Sequence, residues 1–165
     1  MIRVVVFDFD GTLVQSNEIK RQAYYRAAAL IGCSGAAVSE VLAKNRGDRN
    51  EILSDIVAHA GTRGQLPDRQ GTSAWIDKLV AEYSAICQRE IIICNEVPGA
   101  TELLAALSKD GFELIISSAT PRVNLLPIVE ARNLGGSFAG VYGGPASKVE
   151  TLGAILAAKN LAPDE

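Results

Sequence analysis

The chain has 165 residues, 48% of them apolar, and a formal net charge of −3. That is one domain's worth of chain, or one domain with a small insert, with ample material for a core. The acidic balance argues against nucleic acid as the main partner. No apolar run reaches the ~20 residues of a membrane span, and no basic segment followed by an apolar stretch opens the chain. Cys33, Cys87 and Cys94 are odd in number and irregularly spaced, which suggests neither a disulfide framework nor a zinc site. A cytoplasmic protein with no membrane partner is the default expectation, and no oligomeric state is read from the sequence.

The first element is an apolar run from Ile2 to Phe7, broken only by Arg3. It reads as a parallel strand covered on both faces, because such strands do not alternate. It ends in Asp8-Phe9-Asp10-Gly11-Thr12. Ser16 or Asn17 can cap a helix that carries Ile19, Ala23, Tyr24, Ala27, Leu30 and Ile31 at helical spacing, with Gly32 as its stop. A short helix is expected over 38–43, then a polar stretch at 44–50. A helix over 51–60 follows, then a loop over 61–72 and a longer helix from Ser73 to about Cys94. Ile91-Ile92-Ile93 reads equally as helix end or extended chain. From Val14 to about Glu96 the sequence contains no clear strand.

The strand–helix rhythm returns at Val97-Pro98-Gly99. A helix over 101–109 should turn Leu103, Leu104 and Leu107 inward, and Gly111 should stop it in a left-handed cap. Residues 112–117 read as the second strand, leading into Ser117-Ser118-Ala119-Thr120-Pro121. The next helix is expected to start near Asn124, with Pro127 tolerable only in its first turn. A third short strand over 138–142 precedes a last helix over 147–160, with Leu152, Ile155 and Leu156 inward. The fold class is therefore α/β: a Rossmann-like parallel sheet core with an inserted all-helical segment. The expected division is 1–14 with 97–165 for the core and 15–96 for the helical insert.

An apolar strand running straight into Asp-x-Asp-Gly-Thr closely resembles the first motif of the haloacid dehalogenase superfamily, most of whose members are phosphatases. The alternative reading is an Asp-Gly turn at a strand end. The resemblance implies a Rossmann-like core with a helical cap inserted just past this motif. It implies Asp8 as nucleophile and Asp10 as general acid/base, with a magnesium ion bound by Asp8 and by the backbone carbonyl of Asp10. The chemistry is coherent: a carboxylate nucleophile splits hydrolysis of a phosphate ester into two steps. A second carboxyl protonates the departing alkoxide and then activates water. An acid two residues after the nucleophile implies phosphate transfer rather than dehalogenation.

The family's second motif, a Ser or Thr ending strand two that binds the phosphoryl group, falls on Ser118, with Ser117 a near alternative. Its third, a lysine that neutralises phosphate, falls on Lys148. Here a physical argument adds to the resemblance. Ser147-x-x-Glu150 is a capping-box pattern. It puts Lys148 in a first helical turn, where the macrodipole disfavours a cation, so an anionic partner is expected nearby. Gly11 and Thr12 are expected to add backbone contacts to phosphate. Within the insert, Arg46 and Arg49 are candidates for substrate selection, because arginine suits phosphate and carboxylate; a solvated loop is the other reading. His59, the single histidine, reads as a surface or half-buried helix residue.

The resemblance also implies a fourth motif, one or two acids after a further strand, and the sequence contains none. Asp164 and Glu165 lack a preceding apolar strand and are not assigned as metal ligands. In the family's order that strand lies beside strand one, whose apolar edge would otherwise be exposed. The chain is therefore expected to be a fragment of a longer enzyme, lacking the last core strands. The expected activity is magnesium-dependent hydrolysis of a small phosphorylated metabolite through an aspartyl-phosphate. The alternatives are a sugar phosphomutase of the same family, and a non-catalytic binding or regulatory protein that lacks the metal-site acids.

Overall fold

A computed structural model describes residues 2–45, 47–64, 66 and 71–162. Among them are three strands, β1 (Val4–Phe7), β2 (Glu113–Pro121) and β3 (Gly140–Gly144). The seven helices are α1 (Asn17–Ala29), α2 (Gly35–Lys44), α3 (Arg49–Thr62), α4 (Thr72–Ile91), α5 (Ala100–Lys109), α6 (Arg122–Ala131) and α7 (Lys148–Lys159). A 3-10 turn at Gly135–Ser137 leads into β3. The chain divides into two compact units: Met1–Asn17 with Gln88–Glu165, and Glu18–Cys87.

The first unit is an α/β layer structure. Its strands are parallel in the order β1-β2-β3. The register pairs Val6 with Ile115 and Phe7 with Ile116, and on the far side Ile116 with Val141 and Ser118 with Gly143. The carboxyl ends of all three strands therefore lie at one level, the place where open α/β sheets present their ligand groups. β2 is the central strand, and Leu114 to Ser118 are all buried.

β1 departs from the expectation of a fully covered strand. All four of its residues are only half-buried. The reason is position: among the described residues β1 is an edge strand with one neighbour. Leu103 and Leu152, expected inward, are 49% and 42% exposed. Their helices pack through one narrow stripe each, on Leu104 and Ile155. β2 runs on to Pro121, past the expected end. α6 starts at Arg122, so Pro127 falls beyond the first turn. The carbonyl that Pro127 leaves without an amide donor belongs to Val123, which is 79% exposed, so water can serve it.

The second unit is all-helical. Its core is built from the apolar stripes of α1, α3 and α4, with Ala27, Leu53, Ile56 and Leu79 fully buried. Tyr24 and Tyr83 stack inside it with ring centroids 4.5 Å apart. Burial raises both phenols above their ordinary value, Tyr83 the more strongly. α3 opens on Asp48, whose carboxylate accepts from the amides of Asn50 and Glu51 while Glu51 reaches back to the Asp48 amide. The last part of the polar stretch at 44–50 forms this cap. His59 lies half-buried in the last turn of α3.

The outgoing and returning segments are paired. Val14 and Glu96 form an antiparallel bridge, with Gln15 N–H on the Asn95 carbonyl at 2.9 Å and Val97 N–H on the Leu13 carbonyl at 3.0 Å. α4 ends at Ile91 and Ile93 is 80% exposed, which settles that segment as helix end. Arg132 fastens it. Its Nη1 lies 2.9, 3.1 and 2.8 Å from the carbonyl oxygens of Ile91, Ile92 and Cys94. A buried guanidinium thereby satisfies carbonyls that a helix end leaves without amide partners.

Candidate active site

The site forms where β1 ends. After Phe7 the chain turns in a loop closed on one carbonyl. Phe9 O accepts from the amides of Thr12, Leu13 and Val14 at 3.3, 3.0 and 3.3 Å. The Gly11 amide donates to Val14 O at 2.8 Å. Gly11 has φ +74, and a side chain there would collide with the Asn17 amide, so this turn requires glycine. The amides of Gly11 and Thr12, read as phosphate contacts, are used here to close the loop. The buried Phe9 side chain anchors the loop between Asp8 and Asp10.

Asp8 is held at both oxygens. Oδ1 accepts from the Phe9 amide at 2.7 Å, and Oδ2 accepts from Lys148 Nζ at 2.7 Å. The Lys148 and Asp8 side chains are 50% and 36% exposed, so the pair is open to solvent and to a ligand. Lys148 is the first residue of α7. Ser147 caps that helix with its hydroxyl on the Glu150 amide, and Glu150 Oε2 accepts from the Ser147 amide at 2.8 Å. The Ser147 amide, followed by its hydroxyl, holds the Glu150 carboxyl below its ordinary value. A depressed carboxyl stabilises the cap above the ordinary carboxylate pKa, and the effect is lost as pH falls through the depressed value.

Asp10 is gripped by hydroxyls. Oδ1 accepts from Ser16 Oγ at 2.7 Å. Oδ2 accepts from Thr120 Oγ1 at 2.8 Å and from Ser118 Oγ at 3.3 Å. Ser16 and Ser118 are buried. Ser118 Oγ also accepts from the Thr120 amide at 3.1 Å. The structure thus brings together Asp8 with Lys148, and Asp10 with Ser118. Ser117 is buried within β2. Arg49 is the first residue of α3 in the helical unit; Arg46 lies outside the described residues.

Ser16 and Thr120 are not singled out by sequence reasoning. Ser16 reads there as a helix cap and Thr120 as part of a turn. The available signal is a hydroxyl two residues after Ser118, since strand residues two apart share a face.

A bulge aims this turn. The β2–β3 register moves from Ser118 opposite Gly143 to Pro121 opposite Gly144. Ala119 and Thr120 are extra on the β2 side, and such irregularities re-aim side chains. Gly143 permits the close approach. A Cβ there would lie 2.6 Å from Thr120 O and 2.7 Å from both Arg122 N and Cα. All three atoms are backbone, so none can swing aside. Gly143→Ala is expected to destabilise the protein by about 1–3 kcal/mol, read as a melting temperature lower by about 3–10 °C. An unchanged melting temperature would show that the two strands part without cost.

Among the described residues no cluster of three or more His, Cys, Asp and Glu side chains could hold a metal ion. The donors at this site are oxygens only. Magnesium typically takes one or two carboxylates and keeps waters and substrate oxygens. Asp8, partly exposed, fits that pattern. Both carboxylate oxygens of Asp10 are already engaged by hydroxyls.

The sequence matches the family described as haloacid dehalogenase-like hydrolase over residues 2–163. Protein CbbY of Rhodobacter capsulatus is 27% identical over 139 residues, which cover 79% of this chain and 56% of that protein. The chain thus spans little more than half the length of this curated relative. In fold, the chain is similar to a predicted phosphoglycolate phosphatase from Haemophilus somnus, with a TM-score of 0.75 at 18% identity, covering 98% of this chain and 73% of that one. It is also similar to CbbY from Rhodobacter sphaeroides, solved with xylulose-(1,5)bisphosphate, with a TM-score of 0.64 at 19% identity, covering 99% and 75%. The α/β topology, the Asp8–Asp10 loop after the first strand and a match over nearly the whole length agree: the chain belongs to the haloacid dehalogenase-like hydrolases.

Proposed function

We propose that this chain carries the phosphoryl-transfer site of a phosphomonoester hydrolase that acts on a small phosphorylated metabolite. The observation that carries the reading is the Lys148–Asp8 contact of 2.7 Å, made across 140 residues of sequence. A lysine stands against the dipole of its own helix to reach a carboxylate at a strand end. That arrangement suits a site built for a doubly charged anion.

In this reading the Asp8 carboxylate attacks phosphorus. The bond from phosphorus to the ester oxygen breaks, and Asp10 gives its proton to the departing alkoxide. Asp10 then takes a proton from water, which attacks the aspartyl-phosphate and releases inorganic phosphate and free Asp8. Lys148 and the Ser118 hydroxyl neutralise and orient the phosphoryl oxygens throughout. The Gly11 and Thr12 turn keeps the two carboxylates in register. The Asp8 carboxylate and the Asp10 backbone carbonyl would hold a magnesium ion, which would supply charge neutralisation at the phosphate. The helical unit serves as a cap, in which Arg46 and Arg49 would select the remainder of the substrate. Sugar phosphates are the class to examine first, since the ligand of the solved CbbY relative is a sugar bisphosphate.

The test is an assay of the full-length protein with para-nitrophenyl phosphate and a panel of phosphorylated metabolites, with and without magnesium. The expected result is release of inorganic phosphate that stops when the metal is chelated. Phosphate delivered to a second sugar hydroxyl instead of water would make the protein a mutase. No phosphate release or transfer from any compound would overturn the reading in favour of a binding protein.

A further inference from the structure

The Asp10 carboxylate can only accept hydrogen bonds when ionised, so Ser16, Ser118 and Thr120 each direct a hydroxyl proton to it. A hydroxyl has one proton. Ser118 is also the residue placed to bind the transferring phosphoryl group, and it cannot donate to Asp10 and to a phosphate oxygen together. The distances rank the two Oδ2 contacts. Ser118 stands at 3.3 Å and Thr120 at 2.8 Å, while hydroxyl–carboxylate bonds are ordinarily about 2.5–2.7 Å. The Ser118 contact is the weaker one and is the one given up when phosphate arrives.

The backbone is arranged for that exchange. The Thr120 amide donates to Ser118 Oγ at 3.1 Å. The Ser118 oxygen is thereby fixed while its proton remains free to rotate about the Cβ–Oγ bond. The bulge after Ser118, opposite Gly143 and Gly144, presents Thr120 to the same Asp10 oxygen from two residues further on.

We propose that Thr120 is a positioning residue, which keeps Asp10 in place while the Ser118 hydroxyl turns to the transferring phosphate. Phosphate binding and the alignment of the proton-transferring carboxyl are then served by separate hydroxyls. This rests on the phosphatase reading above. The proposal concerns orientation: Thr120 acts through its hydrogen bond to Asp10 Oδ2 and transfers no proton itself.

The experiment compares wild type, Thr120→Val, Thr120→Ser and Ser118→Ala with para-nitrophenyl phosphate, together with crystal structures of wild type and Thr120→Val, both grown with inorganic phosphate bound, so that Ser118 is drawn away from Asp10. Thr120→Val should lower kcat by about 10- to 100-fold, the cost of a misplaced catalytic group, with KM within about twofold. Thr120→Ser, which keeps the hydroxyl, should recover kcat to within about threefold of wild type. Ser118→Ala should instead raise KM. In the Thr120→Val crystal the Asp10 carboxylate should leave the 118–120 turn.

An unchanged kcat in Thr120→Val, or an equal loss in Thr120→Ser, overturns the proposal. An Asp10 side chain that keeps its wild-type rotamer in the Thr120→Val crystal overturns it even if kcat falls. If wild type turns over no phosphate ester, the phosphatase reading fails separately. The Asp10 rotamer in the two crystals then decides the role of Thr120.

Discussion

Replacing Asp8 by asparagine is expected to abolish aryl phosphate hydrolysis while leaving the fold intact. The amide matches the carboxylate in shape, and its oxygen can still accept from the Phe9 amide, as Asp8 Oδ1 does at 2.7 Å. It cannot attack phosphorus. A loss on the order of 10⁴-fold or more in kcat is expected, the scale on which hydrolases feel removal of a nucleophile. The Lys148 partner is lost too, but that pair is half-exposed, and such pairs contribute only about 0–1 kcal/mol to stability. Two measurements check the claim: steady-state kcat, and acid-quenched trapping of labelled phosphate on the protein. Wild type should retain label and Asp8→Asn should not. Turnover within tenfold of wild type would remove Asp8 from the mechanism, as would label retained on the variant.

Lys148→Ala is expected to have the second-largest effect, a fall in kcat/KM of about 100- to 1000-fold, comparable with loss of an oxyanion donor elsewhere. The argument starts from local structure. The Ser147–Glu150 capping box fixes where α7 begins, and Lys148 is therefore its first residue. A cation there is disfavoured by the helix dipole. Its placement makes physical sense when an anion faces it, and Asp8 Oδ2 does so at 2.7 Å. With a phosphate bound, the same ammonium would face several negative oxygens at once. Because the side chain is half-exposed, the stability change should stay below about 1 kcal/mol. Activity and stability should thus separate in this variant: kcat/KM drops and the melting temperature holds. Activity within threefold of wild type would leave Lys148 as a solvated helix residue.

The two positions depend on each other through different parts of the chain. Asp8 is placed by a strand and a glycine turn close to the N-terminus. Lys148 is placed by a helix cap far along the sequence. Weakening the cap, as by protonating Glu150 at low pH, loosens the lysine rather than the carboxylate. The helical unit lies between them in sequence, yet its entry and exit segments pair at Val14 and Glu96. The buried Arg132 holds the returning segment by its carbonyls. An insert of that size therefore leaves the strand ends of the sheet at one level.

Much of this protein is legible from residues a few positions apart. The run ending in Asp8 and Asp10 shows a strand, and Gly11 shows the turn. Ser147 and Glu150 show where α7 starts, and with it the position of Lys148. The helical stripes of α1, α3 and α4 mark an insert without strands. Strand period, helix period and capping are all local, set by hydrogen bonds and side-chain contacts within about four residues, so a sequence states them directly.

Other features were decided by the tertiary structure. The hydroxyl of Thr120 meets Asp10 across 110 residues, and that meeting depends on the β1–β2 register and on a bulge seated against Gly143. Ser16 reads as a cap and instead gives its hydroxyl to Asp10. Local pattern specifies which face of an element is apolar. Which neighbour covers that face, and which oxygen a hydroxyl finds at the end of a strand, follow only when distant segments come into register.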